Sequence, residues 1–272
     1  GWCGLPEMGV RGAAWATVIG QLFSMGTALA FHLHFDAEID NKLRYFKPDG
    51  RTILGIYSIG LPAIISQALL TVMTYSLNLI LGGIPQVGQN AVTVYGLYYK
   101  IQQLIIFAAF GVRDAITPIV SFNYGAQNRQ RVKDGIRWGL IYTAVIMLAG
   151  CLFVEALAPQ LAGLFSLSET TLPMCIDCMR IVSLGFVFAG LCIAFQGVFQ
   201  ALECGIESLI ISLCRQVIFI LPPVWALSRM VTGSGNVRIV WLPLALGEAV
   251  TLVIALLLFR RAKKQKVDTI TA

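Results

Sequence analysis

Polar side chains recur at three- and four-residue steps inside a long apolar segment in the first third of the chain. Residues three or four apart lie on one face of an α-helix, so this spacing predicts a polar stripe along the helix. Such a stripe suits either a water-filled cavity or hydrogen bonds between helices, and the pattern leaves both open. The stripe consists of Gln67, Thr71, Thr74 and Asn78, with Tyr75 beside it.

Later apolar segments carry aromatic, amide and cationic side chains. Tyr95, Tyr98 and Lys100 lie inside one segment, and Gln196 and Gln200 lie one helical turn apart in another. Aromatic faces attract an organic cation by about 0.5–2 kcal/mol each, and neutral amides orient a ligand without trapping it. Lys100 is the exception, because its ammonium group repels a cation and requires a cavity or a partner.

A carboxylate lies near the middle of the last apolar segment, at Glu248. A charge in hydrocarbon is costly, so we expect this group to pair with a buried cation, to be protonated or to take part in proton movement. The pattern does not choose among these three, and Glu248 is a candidate ion-coupling group. Arg113, Asp114 and Arg215 are further charged residues inside the apolar segments.

The sequence contains no recognisable motif for catalysis, cofactor binding or metal binding. Cys175 and Cys178 have the spacing of a metal or redox pair, but no second pair accompanies them. His32 and His34 are two residues apart, so they point in different directions on a helix. A phosphate-binding loop, a nucleophile elbow and an HExxH motif are all missing. We therefore predict a protein that is not an enzyme and has no cofactor.

The composition predicts the class of fold. Hydrophobic residues make up 57% of the chain and charged residues 12%, whereas soluble domains carry about 25% charged residues. The apolar residues fall in runs of roughly 20 or more, long enough to cross a hydrocarbon core of about 30 Å. We predict an all-α integral membrane protein with about seven transmembrane helices. The predicted spans are 9–35, 52–81, 90–122 with a break near Pro118, 139–165, 174–202, 208–230 with a kink at Pro222-Pro223, and 239–259.

The basic residues are concentrated in alternate connections between these spans. Thirteen of the 20 Lys and Arg residues lie in 36–51, in 128–137 and after residue 259. By the positive-inside rule these three segments, including the C-terminus, face the cytoplasm of a multi-pass protein, most simply in a bacterial cytoplasmic membrane. The net charge of +6 therefore reflects topology. We predict contact with membrane lipids and no binding to nucleic acid.

Four short motifs stand out by their order and spacing. GLP at 60–62 opens the second span, and NYGAQN at 123–128 follows the third. Together with the segments 8–17 and 197–202, these motifs resemble the second half of multidrug and toxic compound extrusion (MATE) transporters. Segment 8–17 resembles the stretch before the family's sixth helix, and segment 197–202 resembles the end of its tenth helix. The seven predicted spans would then be family helices six to twelve, and the chain is expected to be the later part of a longer protein.

This resemblance implies two six-helix lobes that rock between outward- and inward-facing states and expel organic cations or drugs against H⁺ or Na⁺. It implies that 1–51 contains the last helix of the first lobe and the inter-lobe loop, that 52–260 forms the second lobe, and that 261–272 is a basic tail. The missing first lobe of the same protein is an expected partner. Some members carry a Glu and an Asp where this chain has Leu70 and Ala189, so no carboxylate cation site is expected there.

The polar residues and the resemblance together predict a substrate-binding cavity for organic cations. Its predicted lining is Gln67, Thr71, Tyr75, Asn78, Tyr95, Tyr98, Lys100 and Gln196. Two other functions stay open. A lipid or lipid-linked precursor flippase of the same superfamily needs a cationic cavity to meet phosphates, which Lys100, Arg113 and Arg215 allow. A membrane scaffold subunit that transports nothing does not need the polar stripe.

Overall fold

The fold is known from a computed structural model that describes residues 9–35, 49–165, 167–231 and 237–270. Within these ranges the chain is helical and contains no strand, which confirms the predicted all-α class. The chain divides into two compact units, Gly1–Ile53 and Leu54–Ala272. In the first unit, α1 covers Gly9–Phe35, the bounds predicted for the first span. Most of the predicted loop 36–51 lies outside the described residues.

The remaining helices follow one another with short connections. Their bounds are α2 Gly50–Gly82, α3 Gly88–Gly125, α4 Arg129–Gly163, α5 Thr171–Ser183, α6 Phe186–Ala201, α7 Gly205–Leu213, α8 Leu221–Ser228 and α9 Arg238–Ala262. Among the described residues, six helical segments are long and apolar enough to cross a membrane, with α7 and α8 together counted as one. The bent pair of α5 and α6 makes a seventh, in agreement with the predicted number.

The fourth span begins earlier than predicted. The sequence places the start near residue 139, whereas α4 starts at Arg129, so the basic segment forms its first turns. The side chain of Asn128 accepts a hydrogen bond from the backbone N–H of Arg131 at 3.1 Å, which satisfies one of the free donors at the start of the helix. A polar cap therefore extends the helix beyond the apolar run that the prediction followed.

The helix breaks also differ from those predicted. Pro118 lies inside a continuous α3, whereas the predicted single span 174–202 is bent by 49° between α5 and α6. At this bend a side chain on Gly185 would come within 3.0 Å of the Cα of Ala245, so only glycine allows α9 this close. Tertiary contact, which local sequence does not show, therefore sets the position of the bend.

The sixth span is irregular over a longer stretch than its two prolines predict. A π-helical turn, Cys214–Ile218, follows α7 and precedes α8. Pro222 and Pro223 lie in the first turn of α8. Backbone N–H groups in a first turn have no acceptor within the helix, so proline, which lacks this group, costs no hydrogen bond there. The break thus precedes the prolines. Wide π-helical turns re-aim side chains and are common at functional sites, and this one carries Arg215.

Candidate functional site

A cavity of about 210 Å³ lies inside the second unit. Its walls come from α2, α3, α5, α6, α7, the π-helical turn and α9, so nearly every helix of the unit except α4 and α8 contributes. The wall is mixed, with amide, hydroxyl and charged groups among apolar ones. The lining residues are Ala63, Ser66, Gln67, Leu70, Met73, Tyr95, Tyr99, Gln102, Gln103, Ile106, Phe110, Arg113, Val182, Gln196, Gln200, Ser208, Ser212, Arg215, Gln216, Ile220, Leu244 and Glu248.

Two amides of α6 meet two hydroxyl groups of α7 at one side of the cavity. Nε2 of Gln196 donates to Oγ of Ser212 at 2.8 Å, and Nε2 of Gln200 lies 3.4 Å from Oγ of Ser208. Each pair is spaced by four residues in its own helix, so successive turns of α6 and α7 meet in register. These contacts bind the two helices together, while the two amide oxygens have no hydrogen-bond partner within the part of the chain that the structure describes.

Aromatic and amide groups of α3 form another part of the wall. Nε2 of Gln103 donates to the phenol oxygen of Tyr99 at 2.6 Å, one helical turn earlier. The ring of Tyr95 lies 6.0 Å from that of Tyr99, and its hydroxyl group lies 3.8 Å from Sδ of Met73 on α2. The wall therefore offers ring surface, and the Tyr99 hydroxyl hydrogen stays free to donate because its oxygen is the acceptor.

Arg215 and Glu248 form an ion pair in the cavity wall. Nε of Arg215 donates to both carboxylate oxygens of Glu248, at 2.8 and 2.7 Å. The two side chains are only 12% and 9% exposed. Of the three states that the sequence left open for Glu248, pairing with a buried cation is the one observed. A paired carboxylate contributes no uncompensated negative charge to the cavity.

Arg113 brings a second cation into the wall. Its Nη2 lies 2.7 Å from Oδ1 of Asp114, and its guanidinium carbon lies 4.8 Å from the centre of the Phe110 ring. Neighbouring residues on a helix point about 100° apart, yet the long Arg113 side chain folds back to reach its neighbour. Its aliphatic part packs on α6 at Gly197, where a Cβ atom would overlap it.

Three of the eight predicted site residues line the cavity: Gln67, Tyr95 and Gln196. On α2 the cavity face carries Ala63, Ser66, Gln67, Leu70 and Met73. Of the predicted stripe, this face includes Gln67 alone, whereas Thr71 and Tyr75 are exposed outside the lining and Asn78 is half-buried outside it.

The other two predicted residues flank a lining residue on α3. Tyr98 precedes Tyr99 and is fully buried in the core, with its ring 6.5 Å from that of Phe186. Lys100 follows Tyr99 and is exposed. Successive residues turn by about 100°, so Tyr98 and Lys100 point to other sides of α3 than Tyr99 does.

Several lining residues were not among those predicted. Ser208 and Ser212 carry a helical four-residue spacing like that of Gln196 and Gln200, and that spacing is the signal that could have identified them. Gln102, Gln103 and Gln216 were visible only as polar residues in apolar spans. No group of three or more His, Cys, Asp or Glu side chains able to hold a metal ion occurs in the part of the chain that the structure describes.

Up to seven candidate spans in the described residues, and a polar cavity among those of the second unit, indicate a multi-pass membrane protein. The MatE family model matches residues 62–225, more than half of the chain. The chain therefore belongs to the MatE family, as the resemblance of its motifs predicted.

Relatives and solved structures agree with this assignment. The chain is 25% identical over 253 residues to the multidrug export protein MepA of Staphylococcus saprophyticus, covering 93% of this chain and 54% of MepA. It is 23% identical over 266 residues to MepA of Staphylococcus aureus, covering 97% of this chain and 56% of that protein. The chain thus spans little more than half the length of these relatives.

Two solved structures have the same fold over nearly the whole chain. One is the outward-facing conformation of a multidrug resistance MATE family transporter, with a TM-score of 0.87 and 24% identity over 96% of this chain and 58% of that one. The other is a MOP superfamily transporter from Pyrococcus furiosus, with a TM-score of 0.84 and 25% identity over 94% of this chain and 57% of that one. The Pyrococcus furiosus transporter is distinguished by a binding pocket of reverse polarity, which suggests a different function for that protein.

Proposed function

We propose that the protein containing this chain exports drugs and other organic compounds across a bacterial cytoplasmic membrane. The relatives named multidrug export proteins support this class of activity. The observation that carries the proposal is the polar cavity inside the second unit, walled by most of its helices. Amides, hydroxyl groups and rings make many weak contacts with a ligand, which suits a protein that must both bind and release its cargo.

The proposed mechanism is alternating access coupled to the influx of H⁺ or Na⁺. Among the residues that line this cavity, Glu248 is the one carboxylate, and Arg215 compensates it. A cation that enters the cavity therefore meets no free acidic group. For this reason we place the coupling-ion site outside this cavity, and Glu248 acts chiefly in holding α9 to the π-helical turn.

Drug susceptibility of cells that produce the full-length protein tests the cavity. We expect Gln67→Leu to change resistance drug by drug, because it removes one hydrogen-bonding group from the wall, while the amount of protein and its thermal stability hold. Equal loss of resistance to every drug, together with loss of stability, would mean that Gln67 only packs helices.

Asn78→Ala is the matched comparison, because Asn78 belongs to the predicted polar stripe but not to the cavity lining. We expect this variant to leave the resistance profile closer to that of the unmodified protein than Gln67→Leu does. A changed profile for Asn78→Ala with none for Gln67→Leu would move the substrate site toward Asn78 and contradict the cavity assignment.

A second candidate function is the translocation of lipids or lipid-linked precursors. The presence of Arg113 and Arg215 in the wall favours it, since phosphate groups require cations. Reconstitution of the full-length protein in vesicles that contain a fluorescent phospholipid separates the two activities. Lipid movement that depends on Arg215, without efflux of drugs, would favour this second function over the first.

A further inference from the structure

Arg215 has hydrogen-bond donors that its ion pair does not use. Its Nε atom makes both contacts with Glu248, whereas Nη1 and Nη2 have no hydrogen-bond partner among residues 9–35, 49–165, 167–231 and 237–270. Neither nitrogen is among the buried polar atoms that lack a partner, so both remain accessible. Because Arg215 lines the cavity, two NH₂ groups of a planar fork are available to a ligand there.

The hydrogen-bond donors of the wall favour an anion over a cation. Arg113, Arg215 and Glu248 line the cavity, and Asp114 compensates Arg113 through a contact of 2.7 Å, so the four charges cancel. Among the lining residues, a cation meets no carboxylate that lacks an arginine partner. An anion meets the Nη groups of Arg215, which Glu248 leaves unused.

The size of the cavity limits the body of the ligand. A cavity of about 150 Å³ holds a benzene molecule, and this one measures about 210 Å³. Leu70, Ile106, Phe110, Ile220 and Leu244 supply apolar surface within it. The space therefore suits one ring with a small polar substituent.

We propose that this cavity binds a monoanionic oxyanion attached to a small apolar body, with the Nη groups of Arg215 donating to the oxyanion. A planar guanidinium matches two oxygens of a carboxylate or phosphodiester through parallel hydrogen bonds. This proposal deepens the proposed export function by naming a substrate class other than organic cations. Its test is equilibrium binding without transport, so failure of export and failure of this site are distinguishable.

Three probes of similar shape test the charge preference. Benzoate, benzamide and benzylammonium differ mainly in charge. Ligand-observed NMR and calorimetry measure the affinity of each probe for the purified full-length protein in detergent. We expect benzoate to bind at least about tenfold more tightly than benzylammonium, with benzamide between them. Benzylammonium binding as tightly as benzoate, or more tightly, would overturn the proposal.

A fourth probe separates the two sources of such an oxyanion. Phenyl methyl phosphate carries the phosphodiester charge of a lipid headgroup on a ring of the same size as benzoate. Tighter binding of benzoate assigns the site to soluble organic acids, and tighter binding of the diester assigns it to lipid-type phosphates. Failure of both anions to bind more tightly than benzamide contradicts the proposal.

Two variants assign the effect to Arg215. Glu248→Gln removes the competing carboxylate, so benzoate should bind about tenfold more tightly and raise the melting temperature more than in the unmodified protein. The double variant Arg215→Gln/Glu248→Gln removes both charges and the guanidinium fork and leaves a neutral amide at each position, so benzoate should bind no better than benzamide. If Glu248→Gln does not fold, the neutral double variant still decides the question.

Arg238→Gln is the control for loss of one arginine. Arg238 pairs with Asp177 at 2.6 Å, is 67% exposed and lies outside the cavity lining. Benzoate binding by this variant should equal that of the unmodified protein. A persistent preference of the double variant for benzoate over benzamide, or an equal loss in Arg238→Gln, would show that Arg215 does not hold the anion.

Discussion

Nη2 of Arg129, at the start of α4, lies 2.7 Å from Oδ1 of Asp268, near the end of the chain. Nζ of Lys133 lies 3.3 Å from the same oxygen. These contacts hold the segment after α9 against the basic first turns of α4. Two of the three segments that the charge pattern assigns to the cytoplasm therefore lie together at one end of the second unit.

The tail contact should respond to the charge of Asp268. Hydrogen bonds from Arg129 and then Lys133 lower the pKa of the Asp268 carboxyl below its usual 3.8. A lowered pKa means that the contribution to stability is complete above pH 3.8 and is lost as the pH falls through the pKa of the folded state. We expect Asp268→Asn, which imitates the protonated form, to speed trypsin cleavage after Lys264 and Lys266 at neutral pH.

In the unmodified protein the cleavage rate, corrected for the activity of trypsin, should stay constant from about pH 6 to about pH 8, since Asp268 is ionised throughout. The charge swap Arg129→Asp/Asp268→Arg should restore part of the protection that Asp268→Asn removes. Equal cleavage of all these variants would show that the tail does not depend on the ion pair.

The orientation of the membrane protein can be tested by labelling single cysteines. We expect an impermeant maleimide to label Asn128→Cys in inside-out vesicles but not in intact cells, because the basic segment is predicted to be cytoplasmic. Gln89→Cys, an exposed position after the α2–α3 turn, is the matched control and should show the opposite pattern. Ready labelling of Asn128→Cys from outside would reverse the orientation.

The cysteines that the structure describes should contribute little background labelling to this experiment. Cys151, Cys175, Cys178, Cys192, Cys204 and Cys214 are all buried and free. Replacement of Cys3 by Ser removes the seventh cysteine of the chain and leaves these six buried positions unchanged. Labelling of the parent protein without an added cysteine gives the correction.

The Arg215–Glu248 pair predicts a non-additive effect on stability. Arg215→Met alone leaves a buried carboxylate without its partner, which costs about 3–5 kcal/mol. The double variant Arg215→Met/Glu248→Leu replaces both charges by apolar groups of similar volume and should lose less stability than the single one, or none. Thermal unfolding of the full-length protein in detergent measures both. A double variant whose loss of stability equals the sum of the losses of Arg215→Met and Glu248→Leu would contradict the direct pairing.

Gly247 predicts a different kind of destabilisation. A Cβ atom there would come within 2.9 Å of the backbone oxygen of Phe219, in the break before α8. Because backbone cannot move aside as a flexible side chain can, we expect Gly247→Ala to lower stability by about 1–3 kcal/mol. Gly96→Ala is the matched control, since no atom lies within 4 Å of its added methyl group. This helical position should lose no stability, because alanine favours a helix over glycine.

Thermal unfolding of Gly247→Ala and Gly96→Ala measures this loss of stability. Since Gly247 precedes Glu248, Gly247→Ala should also displace the carboxylate from Arg215. Equal melting temperatures for Gly247→Ala and Gly96→Ala would mean that α9 is not packed against the break as the structure has it.

The helical class, the number of candidate spans and the bounds of α1 were predictable from the sequence, because they depend on the length and composition of each segment alone. The family was predictable as well, from short motifs in a fixed order such as NYGAQN at 123–128. The predicted start of the fourth span was wrong, because the Asn128 cap extends α4 beyond the apolar run. The predicted break near Pro118 was also wrong, because α3 is continuous there.

Only the tertiary structure decided which side of each helix faces the cavity and which charges meet. A polar stripe on α2 is visible in the sequence, but of its residues Gln67 alone lines the cavity, beside Ser66 and Leu70. The packing of neighbouring helices sets this rotation of α2. Arg215 and Glu248 are 33 residues apart, and no local pattern links them. A helix turns by about 100° per residue, so periodicity assigns residues to a common face, while long-range packing determines what that face meets.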